Sequence, residues 1–270
     1  MMKRSHLLFT AVMWILGLLM IYPFVSMVVI SLRPSGLVYK SIWYPVIPTL
    51  INYKKVVTHP NFLNWCINTL YVVIISIVFR LFVTLPAAYA FARLRFRFSG
   101  VLLALLMASL MVPSETTMVS RYFYYKTLHL FDTPWVIILP ELSEVFYLLL
   151  MIQFFRLIPR ELNEAASIDG SGHWRALVQI FIPLSTPAIA TMVLFSFINI
   201  WNNFLDPYLF ISSIERQLLT PALKFFQEHG GANIPVQLAG SAIAIIPIII
   251  LFVSTQKYFV EGISASGLKG

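Results

Sequence analysis

Six long apolar stretches, separated by shorter polar ones, dominate the pattern along the 270-residue chain. A membrane-spanning helix needs about 20 predominantly apolar residues, and each of the six is long enough. The stretches do not show the alternating ten-residue pattern of barrel strands, which argues against a β-barrel. The predicted spans cover residues 8–31, 67–92, 100–120, 134–156, 184–207 and 237–260. The pattern therefore predicts an all-α membrane protein with six transmembrane helices.

Composition supports an integral membrane protein. Hydrophobic residues make up 59% of the chain, well above the roughly 45–50% of soluble domains. The formal net charge of +8 could suggest nucleic-acid binding, but basic residues in cytoplasmic loops explain it more simply, and no basic run with interleaved aromatics occurs. The single cysteine, Cys66, excludes an intramolecular disulfide framework and a cysteine-based metal cage.

The first apolar stretch follows Lys3 and Arg4, as in a secretory signal peptide. It is too long for the apolar region of such a peptide, and no small-residue cleavage pattern follows it. We interpret it as an uncleaved first span.

The distribution of Lys and Arg predicts that both termini are cytoplasmic. This orientation places ten of the 19 basic residues inside and eight outside, with Arg80 within a span. The cluster "RLRFRF" directly follows span two, where the positive-inside rule is most reliable. The polar segment 157–183 is then cytoplasmic.

This polar segment reads as two short helices joined by a turn. Pro159 suits the first helical position, and Glu161 in the first turn complements the helix dipole. Gly170 is a natural helix stop, and a second helix is predicted to run from near His173 into Pro183. An amphipathic linker on the bilayer surface accounts for these features as well as a docking helix does.

The specific residues of the segment resemble a known motif. "EAASIDGSGHWRALVQIFIPL" is similar to the EAA loop of bacterial ABC importer permeases, with the pattern E-A-A-x-x-D-G followed by I-x-L-P. The ending "QKYFVEGISASGLKG" resembles the second permease subunit of maltose-type carbohydrate importers. The motif positions are Glu164, Ala165, Ala166, Asp169, Gly170, Ile180 and Pro183. Ile182 stands where the family usually has leucine, and Ser171 where alanine is common.

The resemblance implies the fold and function of the chain. The expected fold is that of a type I ABC importer permease: one transmembrane domain over residues 1–270, a coupling loop at about 157–183 and a cytoplasmic tail at about 261–270. The expected function is that of a permease subunit in the bacterial inner membrane, which translocates an oligosaccharide or related polyol by alternating access. A self-sufficient secondary transporter or channel is the alternative.

The resemblance also implies partners. They are a homologous second permease, two ATPase subunits and an extracytoplasmic solute-binding protein. The coupling helix, with Glu164, Ala165, Ala166, Asp169 and Gly170, would fit a cleft on an ATPase subunit. The tail, with Gly262, Gly267 and Lys269, would reach the ATPase dimer.

The chain itself is expected to bind no nucleotide and to be no enzyme. The tail has a superficial phosphate-loop appearance, but Leu268 breaks the required G-x-x-x-x-G-K-[ST] pattern. ATP and Mg²⁺ are therefore expected on the partner ATPase subunits. The five histidines show no metal-ligand spacing.

Polar residues within the spans are candidates for the substrate pathway, because charge at membrane depth is costly and usually functional. Glu141 and Glu144 lie three residues apart in span four, which predicts one helix face. They could contact sugar hydroxyls or a cationic group, or they could pair with Arg80, another subunit or the outer interface. In span five, Asn199, Trp201, Asn202 and Asn203 suit a sugar, although amides also hold helices together.

Overall fold

A computed structural model describes residues 2–34, 47–142, 144–228 and 231–267 of the chain. The described residues form α-helices joined by short 3₁₀ segments, one π-helical turn at Leu177–Phe181 and one antiparallel hairpin, β1 (Gln227–Glu228) with β2 (Gly231–Ala232). The helices are α1 (Met2–Ser31), α2 (Ile51–Val57), α3 (Phe62–Arg93), α4 (Ser99–Ser109), α5 (Met118–Thr127), α6 (Trp135–Glu141), α7 (Val145–Leu157), α8 (Arg160–Ile168), α9 (His173–Ala176), α10 (Ile182–Leu184), α11 (Thr186–Trp201), α12 (Leu205–Phe210), α13 (Leu219–Ala222) and α14 (Ile234–Gly267).

Four of the predicted spans are long, apolar helical segments and two are bent. The four are Phe9–Ser31, Phe62–Arg93, Trp135–Leu157 and Ile234–Gln256. The third and fifth predicted spans are each formed by a pair of helices that meet at a sharp angle, and the total is six when each pair is counted as one. The chain is therefore described by six spans, of which the third and fifth are bent and the fourth is interrupted between α6 and α7.

The bend in the third span has a local cause at Pro113. Helix α4 ends at Ser109, and the chain turns by 89° before it continues as Ser114–Thr127. Pro113 is extended, with φ −61° and ψ 135°, and a proline disfavours helical geometry in the residue before it. The continuous helix predicted over 100–120 is therefore wrong at this point. By contrast, Pro23, Pro86 and Pro247 lie within unbroken helices.

The fifth span bends at Ser185, between two prolines. Segment His173–Leu184 meets Thr186–Trp201 at 79°. Pro187 has no N–H to donate to the preceding turn, and the hydroxyl of Thr186 donates to the Pro183 carbonyl instead (2.7 Å). The helix predicted over 184–207 also ends early, because α11 stops at Trp201 and the chain turns before α12.

The chain divides into two compact units. The first comprises Met1–Leu63 and Ala222–Ile246. Its apolar cluster contains Val56, Val236 and Ala239. In the same unit the buried Asn52 side chain donates to the backbone carbonyls of Ser31 and Arg33, at 2.7 Å each, which fixes α2 against the end of α1. The prediction of one domain over the whole chain stays a prediction.

The second unit comprises Asn64–Pro221 and Pro247–Gly270. Its core joins spans two, four and five. Leu85, Ala88 and Tyr89 of α3 pack with residues of α7 and of the α9–α11 segment. The buried members from those segments are Tyr147, Met151, Ile152, Phe155, Ile158, Ala176, Leu177, Phe181, Ala188 and Met192.

The C-terminal helix is longer than the sixth predicted span. Helix α14 continues to Gly267, so the expected tail from residue 261 begins as part of this helix. Gly262 and Gly267 are helical, and Lys269 lies outside the described residues.

Two loops of the second unit are joined through Asp132. Its carboxylate accepts hydrogen bonds from the backbone N–H groups of Ser212 and Ser213, at 2.9 Å each, and from the Ser213 hydroxyl at 2.5 Å. Arg216 Nη1 lies 3.4 Å from the same carboxylate. Burial alone would raise the pKa of Asp132, but these hydrogen bonds and the Arg216 charge together lower it below its ordinary value.

The Asp132→Asn variant is expected to lower the free energy of unfolding by about 1–2 kcal/mol at neutral pH, because the hydrogen bonds to a charged oxygen become weaker bonds to a neutral one and the Arg216 ion pair is lost. A carboxyl whose pKa is lowered on folding stabilises the protein above the unfolded pKa, which is about 3.9. The difference from wild type should therefore persist down to about pH 4 and shrink below it. Thermal unfolding of the detergent-solubilised protein across this pH range measures it. Glu215→Gln, which removes an exposed charge from the same loop, is the control and should change stability little.

Candidate functional site

A buried arginine joins the two parts of span four. The Arg80 side chain on α3 is 1% exposed, and its Nη2 donates to the carboxylates of both Glu141 and Glu144, the latter at 3.2 Å. Both predicted carboxylates are thus paired with Arg80, which is one of the alternatives that the sequence left open. The pairing offsets the cost of holding charge at membrane depth.

Glu141 and Glu144 do not lie on one helix face, contrary to the prediction. Glu141 is the last residue of α6, whereas Glu144 precedes the first residue of α7 and is extended, with φ −69° and ψ 109°. The helix is interrupted between them, two residues after Pro140. Their carboxylates converge because both reach the same guanidinium, so a tertiary contact replaces helical spacing.

The other donors of Arg80 are also engaged. Its Nε donates to the backbone carbonyl of Glu141 (2.8 Å), and its Nη1 donates to the Ser196 hydroxyl on α11 (2.5 Å). The guanidinium carbon lies 4.4 Å from the centre of the Tyr147 ring, within cation–π range. Arg80 therefore connects spans two, four and five.

The two carboxylates line a cleft of about 560 Å³ together with the amides of span five. Asn199, Asn202 and Asn203 lie on its wall. The Asn202 amide donates to the Ile198 carbonyl of its own helix (2.9 Å), and its side-chain oxygen is an additional hydrogen-bond acceptor. Five of the six predicted pathway residues are thus brought together by the fold.

Trp201 is the exception. It is buried, its ring stacks on Phe197 with centroids 5.2 Å apart, and its backbone carbonyl accepts a hydrogen bond from the Thr220 hydroxyl (2.7 Å). It is not among the residues that line the cleft. In this structure Trp201 is a packing residue.

Sequence reasoning missed part of the cleft. Arg121 of α5 and Asp206 of α12 line it and form an ion pair at 3.0 Å, and Glu115 also lies on its wall. Asp206 further contacts the Asn203 amide (3.3 Å). The sequence did indicate a role for Asp206, because this residue fell within the predicted fifth span, where an acidic residue requires a partner.

The second candidate site is the polar loop between α7 and α11. Pro159 is extended and precedes the helix, so α8 begins at Arg160 and not at Pro159 as predicted. The helix ends at Ile168, and Gly170 adopts a left-handed conformation with φ +72°. The Ser171 N–H then donates to the Ala166 carbonyl (2.8 Å). The predicted glycine stop is confirmed.

The motif residues of α8 differ in their surroundings. Glu164, Ala165 and Asp169 are exposed, while Ala166 is buried within its own chain. Glu164 also lines a small cavity of about 240 Å³ together with Arg93, Arg95 and Arg160. The exposed residues form a surface to which another protein has access.

The Gly170→Ala variant is expected to destabilise the turn after α8 by about 1 kcal/mol, because a left-handed conformation is costly for residues with a Cβ. Space does not limit the change, since no atom lies within 4 Å of the added Cβ. Gly172→Ala is a matched control, because Gly172 has φ −69° and equal room. Hydrogen exchange of the Ser171 amide should rise in the first variant and stay unchanged in the second.

The fold and the two sites describe a helical membrane protein with a polar cleft and an exposed polar loop, and comparison with known proteins identifies its family. Residues 81–264 match the model of the "binding-protein-dependent transport system inner membrane component". The chain belongs to this family. It is the permease component of a binding-protein-dependent ABC importer in the inner membrane, and it is not an enzyme.

Individual relatives agree with this assignment. The chain is 32% identical over 230 residues to the sulfoquinovosyl glycerol transport system permease of Agrobacterium fabrum, with 84% of this chain and 81% of the relative covered. It is 30% identical over 255 residues to the arabinooligosaccharides transport system permease of Halalkalibacterium halodurans, covering 93% and 91%.

The fold is also similar to that of a solved structure. A chain of a bacterial ABC transporter involved in the import of the acidic polysaccharide alginate superimposes with a TM-score of 0.82. The two chains are 23% identical, and the match covers 95% of this chain and 97% of the other.

Proposed function

We propose that this permease translocates a carbohydrate and that the cleft beside Arg80 is part of the pathway. The observation that carries the proposal is the convergence of Glu141, Glu144 and the three span-five asparagines on one cleft. Carboxylate and amide oxygens accept hydrogen bonds from hydroxyl groups, which a sugar presents in large numbers. The names of two relatives, which transport sulfoquinovosyl glycerol and arabinooligosaccharides, support the same class of substrate.

The cleft is poor in free cations. Arg80 donates to two carboxylates, a backbone carbonyl and a hydroxyl, and Arg121 is paired with Asp206. Its wall is therefore richer in acceptors than in available donors. A ligand that brings its own hydrogen-bond donors, such as a polyhydroxyl compound, fits this wall.

The complete transporter would contain further subunits. We propose a homologous second permease, two ATPase subunits that bind ATP and Mg²⁺, and an extracytoplasmic solute-binding protein. Both termini would lie in the cytoplasm, with the basic end of α3 on the same side. Helix α8 would then face the ATPase subunits, and the end of α14 with Gly262 and Gly267, together with Lys269 further along the chain, would reach them.

Transport would occur because the ATPase subunits bind two conformations of the permease with different affinities. Nucleotide binding closes the ATPase pair, and this closure favours one orientation of the spans through its contact with α8. A partner shifts the equilibrium only by the difference between its affinities for the two states. Glu164, Ala165, Asp169 and Gly170 would form the exposed part of that contact, with Ala166 supporting it from beneath.

Reconstitution of the whole complex tests the proposal. A ligand screen with the purified binding protein identifies the sugar, which is then used in radiolabelled form with proteoliposomes. Uptake is expected to require ATP inside the vesicles and to stop when vanadate blocks hydrolysis. Uptake that continues on an ion gradient alone would favour the alternative, a self-sufficient secondary transporter, and would overturn the proposal.

A further inference from the structure

Helix α8 is attached to the rest of its unit through few side chains. Ala166 is buried and Asn163 is partly buried, while the other seven side chains of the helix are exposed. Among the described residues, Asn163 makes the only side-chain hydrogen bond from α8 to another helix. Its Oδ1 accepts from the Tyr89 hydroxyl of α3 at 3.1 Å.

Tyr89 lies on span two, where both helices of the polar loop, α8 and α9, contact it. Its side chain is 3% exposed, and its hydroxyl lies 3.4 Å from His173 Nδ1 at the start of α9. Its ring packs edge-on against Phe181, with centroids 5.0 Å apart. One tyrosine therefore contacts α8, α9 and the π-helical turn that leads into span five.

Arg93 stands one helical turn after Tyr89 on the same face of α3. Its Nη2 donates to the backbone carbonyls of Phe155 and Ile158, at the end of α7. These carbonyls have no partner within the helix, so Arg93 caps span four. Its guanidinium also lies 5.0 Å from the centre of the Phe181 ring.

We propose that Tyr89 and Arg93 are positioning residues that transmit a displacement of α8 to the spans. Tyr89 holds α8 to the end of α3, and Arg93 holds that end of α3 to α7 and to the start of span five. The inference rests on the proposed function, because it requires that α8 be the place where the ATPase subunits act.

This arrangement can transmit a displacement of α8 because it combines aromatic packing with a single hydrogen bond. The aromatic contacts among Tyr89, Phe155 and Phe181 form a close-packed cluster, and packed side chains move as a body. The side-chain hydrogen bond between α8 and α3, in contrast, depends on one hydroxyl. Removal of that hydroxyl should leave the cluster folded and loosen α8 from it.

The test is a double-mutant cycle with Tyr89→Phe and Asn163→Ala in the complete reconstituted transporter. The measured quantity is sugar taken up per ATP hydrolysed, with the radiolabelled sugar found by the ligand screen. Tyr89→Phe should lower this ratio about fivefold, the factor that a typical hydrogen bond contributes to an equilibrium. In the double variant the ratio should fall no further than in either single variant, because both substitutions remove the same contact.

Two further variants complete the set. Arg93→Lys keeps the charge but loses the planar donor group, so it too should lower the ratio while ATP hydrolysis continues. Tyr53→Phe is the matched control, since it removes a hydroxyl that is hydrogen-bonded to Ser31 Oγ (2.6 Å) in the first unit. It should leave the ratio unchanged.

The possible results separate the inference from the proposed function. An unchanged ratio in Tyr89→Phe, or losses that add in the double variant, would overturn the inference. Glu164→Lys in the same assay tests the proposed function itself. If that variant lowers uptake while Tyr89→Phe does not, only the role of Tyr89 is wrong; if neither has an effect, α8 is not the coupling element.

Discussion

Glu164→Lys is expected to lower ATP-dependent uptake at least about tenfold while the spans remain folded. Glu164 is exposed on α8, and among the described residues no ion pair holds it to its own chain. Reversing a charge that faces a partner places like charges together, which costs several kcal/mol in an interface. Uptake into proteoliposomes and retention of the ATPase subunits during purification measure the two consequences.

Glu161→Lys is the control for this experiment. It makes the same charge change on the same helix, at an exposed position outside the motif. Only a small loss of helix stability is expected there, because Glu161 lies in the first turn and complements the dipole. Equal loss of uptake in both variants would indicate a general charge effect of α8 and would contradict a specific role of Glu164.

Arg80→Met is expected to be the most destabilising of the substitutions considered, with a loss of about 3–5 kcal/mol in the free energy of unfolding. The lost attraction between Arg80 and the two carboxylates is only part of the reason. Without Arg80, the carboxylates of Glu141 and Glu144 remain at membrane depth without a cation, and removing one partner of a buried pair leaves an uncompensated charge. Thermal unfolding in detergent measures the loss.

A triple variant separates charge from packing. Arg80→Met combined with Glu141→Gln and Glu144→Gln removes all three charges with little change in volume, so most of the lost stability should return. Arg80→Lys should fall between wild type and Arg80→Met, because it keeps the charge but cannot satisfy every acceptor at once. Failure of the triple variant to recover would show that the hydrogen bonds to Ser196 and to the Glu141 backbone matter more than charge balance.

The α8 loop and the Arg80 cleft were predictable to different extents. Local patterns predicted the α8 turn, because the stop at Gly170 depends on one residue that tolerates a positive φ. The convergence of Glu141 and Glu144 was expected from helical spacing, yet the helix is interrupted between them. The two carboxylates come together through a partner 61 residues away from Glu141 in the chain.

The sequence by itself determined the membrane environment, the number of spans and the family, because these depend on runs of apolar residues and on a local motif. It did not determine which spans bend, although Pro113 and Pro187 are visible in it, since Pro23, Pro86 and Pro247 occur within continuous helices. Neighbouring groups decide whether the carbonyl that a proline leaves free finds another partner.

Only the tertiary structure decided which polar residues act together. It paired Arg121 with Asp206, buried Trp201, and placed Tyr89 between the two halves of the polar loop. The Arg121–Asp206 pair and the contacts of Tyr89 with Asn163 and His173 join residues that are distant in the chain, and no local pattern encodes them. Burial of charge and amide groups at membrane depth requires partners, and the packing of spans two, four and five determines which partners are within reach.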